Sequence, residues 1–146
     1  MNNKDAFSVD GQIVLVSGAS RGIGRAIAAG FAQRGAQVVI SGRNAETLAK
    51  TSGEISRGDR TVKTKVCDVA DVAAGQALID QVVEEFGRID TLVNCAGVNK
   101  RMRAEEYTPE VYDFITNINI RGAYFLALAA GRRMIAAGKG SIINID

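Results

Sequence analysis

The sequence contains no histidine and no tryptophan, a single proline, two cysteines and only 5% aromatic residues. The missing imidazole excludes Ser-His-Asp and Cys-His nucleophilic systems, His-ligated zinc and histidine acid–base chemistry. Any catalysis must use other groups. Cys67 and Cys95 stand far apart, in neither a CxxC nor a metal-ligand spacing, and each closes an apolar run. They read as two buried, reduced thiols, and no metal site is expected. Charge of either sign is also scarce in excess: 18 Lys and Arg against 16 Asp and Glu leave +2. That surplus is too small and too evenly spread for a nucleic-acid or membrane footprint. The longest strongly apolar stretch, residues 122–131, is too short to span a bilayer and runs into Arg132 and Arg133. The first ten residues have no apolar core of a secretory signal, so a cytoplasmic location is the expectation.

What is present is an ordinary globular composition, 47% apolar and 23% charged over 146 residues, enough chain for one domain spanning 1–146. Short β-rich runs alternate with longer helical patterns. Strands are predicted at 12–16, 37–41, 61–67, 91–94 and 141–145, most of them continuous runs of Val, Ile and Leu suited to burial on both faces. A first helix carries Ile23, Ile27 and Phe31 at i+4 spacing. A second covers about 45–57 with Asn44 as N-cap, and a third carries the stripe Leu78, Ile79, Val82, Val83 and Phe86 after Asp71 as N-cap. The fourth opens at Thr108 and Pro109, a cap residue followed by proline at N1, and runs toward Ala137. Five strands and four helices in strict alternation predict an α/β fold, a doubly wound, Rossmann-like parallel sheet with right-handed crossovers. Ligands of such sheets bind beyond the carboxyl ends of the strands, where the strand order reverses.

The residues at those strand ends are informative. After the first strand comes Ser17, Gly18, Ala19, Ser20, Arg21, Gly22, Ile23, Gly24, leading straight into the first helix. Glycines there allow a tight turn and close backbone approach, while free N–H groups and the positive helix end favour a phosphate. The spacing G-x-x-x-G-x-G departs from the G-x-G-x-x-G fingerprint and lacks the Gly-Lys-Ser/Thr ending of a nucleoside-triphosphate loop. The second strand ends Ser41, Gly42, Arg43, Asn44, with no acid to accept from a ribose 2′-OH and with Arg43 in place to meet a 2′-phosphate. Arg21 offers a second guanidinium. The cofactor expected is therefore NADP(H) over NAD(H), the plainer alternative being that Arg43 is a solvated turn residue.

With the glycine loop, four motifs resemble the short-chain dehydrogenases/reductases of the single-domain type: the loop itself, then Cys67, Asp68 and Val69, then Asn94, Cys95, Ala96 and Gly97, then Asn119, Ile120, Arg121 and Gly122. The resemblance covers essentially the whole chain. It implies that Gly18, Ser20, Arg21, Gly22, Ile23 and Gly24 face the cofactor phosphates and that Ser41, Arg43 and Asn44 face the adenosine ribose. It further implies that Asp68 and Val69 contact the adenine and that Asn94, Ala96 and Gly97 border a ribose. Cys95 departs from the family, which usually has a second Asn there.

The family moves a hydride between nicotinamide and a carbonyl or alcohol with Asn, Ser, Tyr and Lys, the Lys lowering a tyrosine pKa that is ordinarily about 10. Asn119 matches the family's catalytic Asn, and an Asn in mid-helix suggests a local kink. The four-residue steps from Tyr107, Tyr112 and Tyr124 reach Val111, Thr116 and Leu128, so no Tyr-x-x-x-Lys is present. The resemblance places the Ser just after Asp146 and the Tyr-Lys helix beyond it. The expectation is thus the cofactor-binding part of a longer oxidoreductase, incomplete at its carboxyl end and inactive alone, with a bare strand edge; the alternative is a non-catalytic NADP-binding module. A flavodoxin-like regulatory domain is disfavoured by the glycine loop and Asn119. Lys100, Arg101 and Arg103 after the fourth strand could receive an anionic small-molecule substrate or be a solvated run near Glu105 and Glu106. The surrounding segment looks somewhat like gluconate 5-dehydrogenases and, more loosely, 3-oxoacyl-carrier-protein reductases. Family members commonly form tetramers, which makes a homo-oligomer the expectation.

Overall fold

The computed structural model describes residues 7–145; residues 1–6, part of the amino-terminal stretch read above, and Asp146 lie outside the described residues. The chain alternates as β1 (Ile13–Ser17), α1 (Gly22–Gln33), β2 (Gln37–Gly42), α2 (Ala45–Ile55), β3 (Lys63–Val66), α3 (Val72–Phe86), β4 (Thr91–Asn94), α4 (Pro109–Thr116), a π-helical segment (Asn117–Gly122), α5 (Ala123–Ala137) and β5 (Ser141–Asn144). All pairings between these strands are parallel and the strand order is β3-β2-β1-β4-β5. The expected doubly wound sheet is present.

Alternation along β1 explains both layers. Ile13 and Leu15 point to one face, where they meet Leu78, Ile79 and Val82 of α3 and Leu126 and Ala130 of α5. Val14 and Val16 point to the other, against Ala28 and Ala32 of α1 and Leu48 and Ile55 of α2. Strands buried on both sides are apolar through their middles, as Ile13–Val16 of β1 and Leu92 and Val93 of β4 are, with polar residues only at their ends. The outer strands differ. β3 is shorter than the predicted 61–67 and largely exposed, because as an edge strand its Lys63 and Lys65 meet solvent. β5 forms the opposite edge and is exposed throughout, matching the expected bare edge among the described residues.

Helix starts follow the capping chemistry. Asn44 Oδ1 accepts from Thr47 N at 2.9 Å, Asp71 Oδ1 from Ala73 N and Ala74 N at 2.9 and 3.1 Å, and Thr108 Oγ1 from Val111 N at 3.4 Å. Three sequence expectations need correction. α2 ends at Ile55, and Arg57 instead bridges to Arg60 in a turn. Ile23 is 64% exposed, since the packed face of α1 is the small-residue row Gly24, Ala28 and Ala32, which lets the helix lie close to the sheet. The single helix expected over 108–137 is a rod interrupted by the π-helical segment, the local irregularity that Asn119 suggested.

The amino-terminal edge of the sheet is closed by one carboxylate. Asp90 Oδ2 accepts from Ile13 N and from Arg88 Nε, both at 2.8 Å, and Lys139 Nζ stands 3.5 Å from Oδ1. The Asp90 backbone pairs with Ile13 O and Ser141 N, so the starts of β1, β4 and β5 meet at this residue. Burial opposes its charge, but the Ile13 and Arg88 hydrogen bonds and the charges of Arg88 and Lys139 outweigh it, holding the carboxyl below the ordinary range. A lowered folded pKa contributes stability that is full above the unfolded value of about 4 and fades as pH falls through the lower folded value. Asp90→Asn should therefore cost about 2 kcal/mol at pH 7. In urea denaturation at a series of pH values, the gap between wild type and D90N should shrink below about pH 4.

Candidate functional site

The first residues past β1, β2, β3 and β4 converge on one groove at the carboxyl edge of the sheet. It encloses about 670 Å³, its open mouth included, and is lined by Gly18, Ser20 and Arg21, by Ser41, Gly42 and Arg43, by Cys67, Asp68 and Val69, and by residues 95–98 with Ile118. β1 has β2 on one side and β4 on the other, so chains leaving β1 and β4 diverge here, as the topology requires.

The glycine loop is held from three directions. Ala19 N donates to Ser41 O at 3.2 Å, and the buried Thr51 hydroxyl donates to Ser20 O at 2.8 Å. Gly18 has φ +66°, and a Cβ there would stand 2.5 Å from Ala96 Cα. Only glycine meets both demands. A Cβ on Gly24 would lie 2.5 Å from Gly18 O, so α1 also sits against the loop backbone. Unlike α2, α3 and α4, α1 has no side-chain cap: Arg21 occupies the N-cap position without capping, and the first turn carries no acid. Its leading N–H groups and positive end remain open.

Of the residues expected from sequence, Gly18, Ser20, Arg21, Ser41, Arg43, Asp68, Val69, Ala96 and Gly97 line the groove. Arg21 and Arg43 are exposed, and neither side chain has a hydrogen bond or ion pair among the described residues. The Ser41 hydroxyl is buried with no hydrogen-bond partner among the described residues. Asp68 Oδ1 accepts from Ala70 N at 3.0 Å, leaving helix capping to Asp71.

The remainder sit elsewhere. Gly22 and Gly24 form the first turn of α1 behind the lining, and Ile23 projects outward from it. Asn44 is engaged as the cap of α2. Asn94 is buried beneath the groove, where its Nδ2 donates to Ala123 O at 3.0 Å and Asn144 Oδ1 at 3.1 Å. It braces β4 against α5 and β5. Asn119 makes a reciprocal pair with one backbone unit: its Nδ2 donates to Val98 O and its Oδ1 accepts from Val98 N, both at 2.8 Å. Its side chain fixes the loop after β4.

Ser17, quoted only as the start of the glycine motif, proves to be a joint: its Oγ accepts from Cys95 N at 3.1 Å and Ala96 N at 3.3 Å. A small polar residue closing an apolar strand was the available signal. Thr51 gave none, being a mid-helix threonine. Both cysteines are free and line the groove. Burial raises the Cys67 thiol pKa, aided by the charges of Asp68 and Asp71, and burial alone raises that of Cys95. Both thiols therefore stay protonated at neutral pH. Among the described residues no cluster of His, Cys, Asp or Glu is placed to hold a metal ion, and no helix is long and apolar enough to cross a membrane.

Comparison with known proteins places this geometry. The short chain dehydrogenase family profile matches residues 12–146. The chain belongs to the short chain dehydrogenase family. It is 43% identical over 140 residues to D-threitol dehydrogenase of Mycolicibacterium smegmatis, covering 95% of this chain and 54% of that protein. It is 38% identical over 145 residues to gluconate 5-dehydrogenase of Gluconobacter oxydans, covering 99% and 57%. A metagenomic short-chain oxidoreductase solved in complex with NADP superposes with a TM-score of 0.89 at 37% identity, over 95% of this chain and 63% of that one. The chain thus spans about half the length of the curated relatives it matches.

The glycine contacts yield a paired test. Gly24→Ala places a methyl against fixed backbone and should cost about 1–3 kcal/mol. Gly53→Ala, on α2 with nothing within 4 Å of its Cβ, should stabilise by up to about 1 kcal/mol through helix propensity. Urea midpoints moving the same way in both variants would contradict the close approach at Gly24.

Proposed function

We propose that residues 1–146 form the NADP(H)-binding part of an oxidoreductase that transfers a hydride between nicotinamide and the carbonyl or alcohol carbon of a small substrate. The observation that carries this reading is the pair Arg21 and Arg43, two guanidinium groups that line the groove without side-chain partners among the described residues, Arg21 doing so at the uncapped start of α1. Two cations and free helix N–H groups suit a dinucleotide bearing an extra phosphate. The end of β2 offers no carboxylate to repel that phosphate or to select a bare ribose. The metagenomic relative bound to NADP supports the same assignment.

In this reading Gly18, Ser20, Arg21 and the first turn of α1 hold the pyrophosphate, and Ser41 and Arg43 hold the phosphorylated ribose. Asp68 and Val69 flank the adenine, and Ala96 and Gly97 border the second ribose. Asn44 and Asn94 act by position, one fixing α2 and the other the end of β4. Asn119 orients Val98, at the groove end farthest from Arg43. Bound NADP(H) would supply the hydride. The 146 residues hold no Tyr-x-x-x-Lys pair to move the accompanying proton, so the chain alone is expected to bind NADPH without reducing a carbonyl.

The substrate class we propose is a sugar acid or a 3-oxoacyl thioester. Lys100, Arg101 and Arg103 follow the Val98 end of the groove on a loop tied by the Tyr107 hydroxyl donating to Lys100 O at 2.8 Å. Among the described residues, only Arg103 of these three has a carboxylate within ion-pair distance, Glu105 at 3.9 Å. The resemblance to gluconate 5-dehydrogenase supports the sugar acid.

Cofactor choice is directly measurable. A charge-assisted hydrogen bond contributes about 1.5–3 kcal/mol, so Arg43→Ala should narrow the NADPH-over-NADH preference roughly tenfold to a hundredfold in fluorescence titrations. An unchanged ratio of dissociation constants would refute the NADP assignment.

A further inference from the structure

Gly122 closes the π-helical segment, behind the groove lining and distant along the chain from every groove residue except Ile118. A Cβ at this position would stand 2.5 Å from the Val69 carbonyl oxygen and 2.9 Å from its carbon, with Asn117 O at 3.2 Å. These are backbone atoms, which cannot swing aside as a side-chain tip can. The segment therefore bears directly on the residue that, with Asp68, forms the groove wall after β3. Three positions earlier Asn119 grips Val98 N and O, both at 2.8 Å, and so bears on the wall after β4. Ile118, next to Asn119, is buried and lines the groove itself.

Residues three apart on an α-helix share a face. The wider π turn carries Asn119 and Gly122 to two separate walls, which gives that turn a purpose. Immediately beyond, Ala123 O accepts from Asn94 Nδ2, anchoring the segment to β4. One short, braced piece of helix thus spans the groove from its β3 side to its β4 side.

We propose that Gly122 is a positioning residue that couples the two ends of the dinucleotide groove. Its bare backbone sets the Val69 wall, and Asn119 on the same segment sets the Val98 wall. The inference rests on the cofactor reading above and adds to it that the adenosine end and the nicotinamide end are held in register by one segment.

The test compares 2′,5′-ADP, which reproduces the phosphorylated adenosine half, with NADPH on the 146-residue chain and on the variants Gly122→Ala and Asn119→Ala, with thermal midpoints measured alongside. Gly122→Ala should raise the dissociation constants of both ligands at least tenfold. Asn119→Ala should weaken NADPH severalfold and leave 2′,5′-ADP within twofold. A purely structural loss would lower the midpoint and weaken both ligands alike in both variants, and that pattern overturns the proposal. So does a Gly122→Ala chain that binds 2′,5′-ADP normally. Failure of the wild-type chain to bind either nucleotide would overturn the cofactor reading and this inference together. Should Gly122→Ala not fold, amide exchange on the wild-type chain decides. Saturating 2′,5′-ADP should slow exchange across residues 99–107, beyond its reach, at least fivefold, and unchanged exchange there overturns the coupling.

Discussion

Backbone meeting backbone at the carboxyl edge of the sheet is the constraint on which the groove depends. Gly18 lies against Ala96, Gly24 against Gly18, and Gly122 against Val69, each close enough that a single methyl would collide. These contacts run from α1 through the glycine loop to the end of β4, and from the π-helical segment back to the end of β3. Side chains elsewhere could be repacked with small shifts, but peptide units at this distance leave no such freedom. The groove is shaped by main chain, and its dimensions follow from the sheet that fixes that main chain in place.

The same economy of side chains leaves hydrogen-bonding capacity open. α2, α3 and α4 each begin with a residue that satisfies their first N–H groups, whereas α1 begins with an arginine that does not. An uncapped start costs about 1 kcal/mol relative to a good cap. That cost falls on the helix whose N-cap residue lines the groove, where among the described residues neither Arg21 nor Arg43 has a side-chain partner. An anion with several acceptor oxygens answers all of these groups at once, and a neutral ligand answers few of them.

Much of this was legible in the sequence, for physical reasons that differ by element. β1, β2 and β4 were readable because strands covered on both faces are apolar through their middles; their ends shifted by only a residue or so. β3 was overextended because edge position, not composition, ended it at Val66. Glycine spacing located the loop, and cap residues located α2, α3 and α4. The cap role of Asn44 was legible because its partner Thr47 is three residues along, whereas the brace made by Asn94 was not, because its partners Ala123 and Asn144 lie in other segments. Ser17 and Thr51 were missed for the same reason, since their partners lie in other segments. Ile23 was misplaced because helical periodicity assigns a face by hydrophobicity, and here small residues win the packed face by permitting closer approach.

The two edges of the sheet divide the polar chemistry between them. At the amino edge Asp90, Arg88 and Lys139 satisfy one another and the starts of three strands, so that edge is closed by its own charges. At the carboxyl edge Arg21 and Arg43 pair with no carboxylate among the described residues, although the exposed Glu46 stands three residues from Arg43 and the exposed Asp68 lines the same groove. A fold selected for stability alone would pair cations at both ends, because the pairing at Asp90 shows that this scaffold can arrange it. Leaving one edge unpaired preserves a net attraction for an incoming anion, and the braced segment from Asn117 to Gly122 keeps the walls apart to receive it. Rigidity at one edge and open electrostatics at the other are thus two consequences of a single parallel sheet whose strand order reverses beside β1.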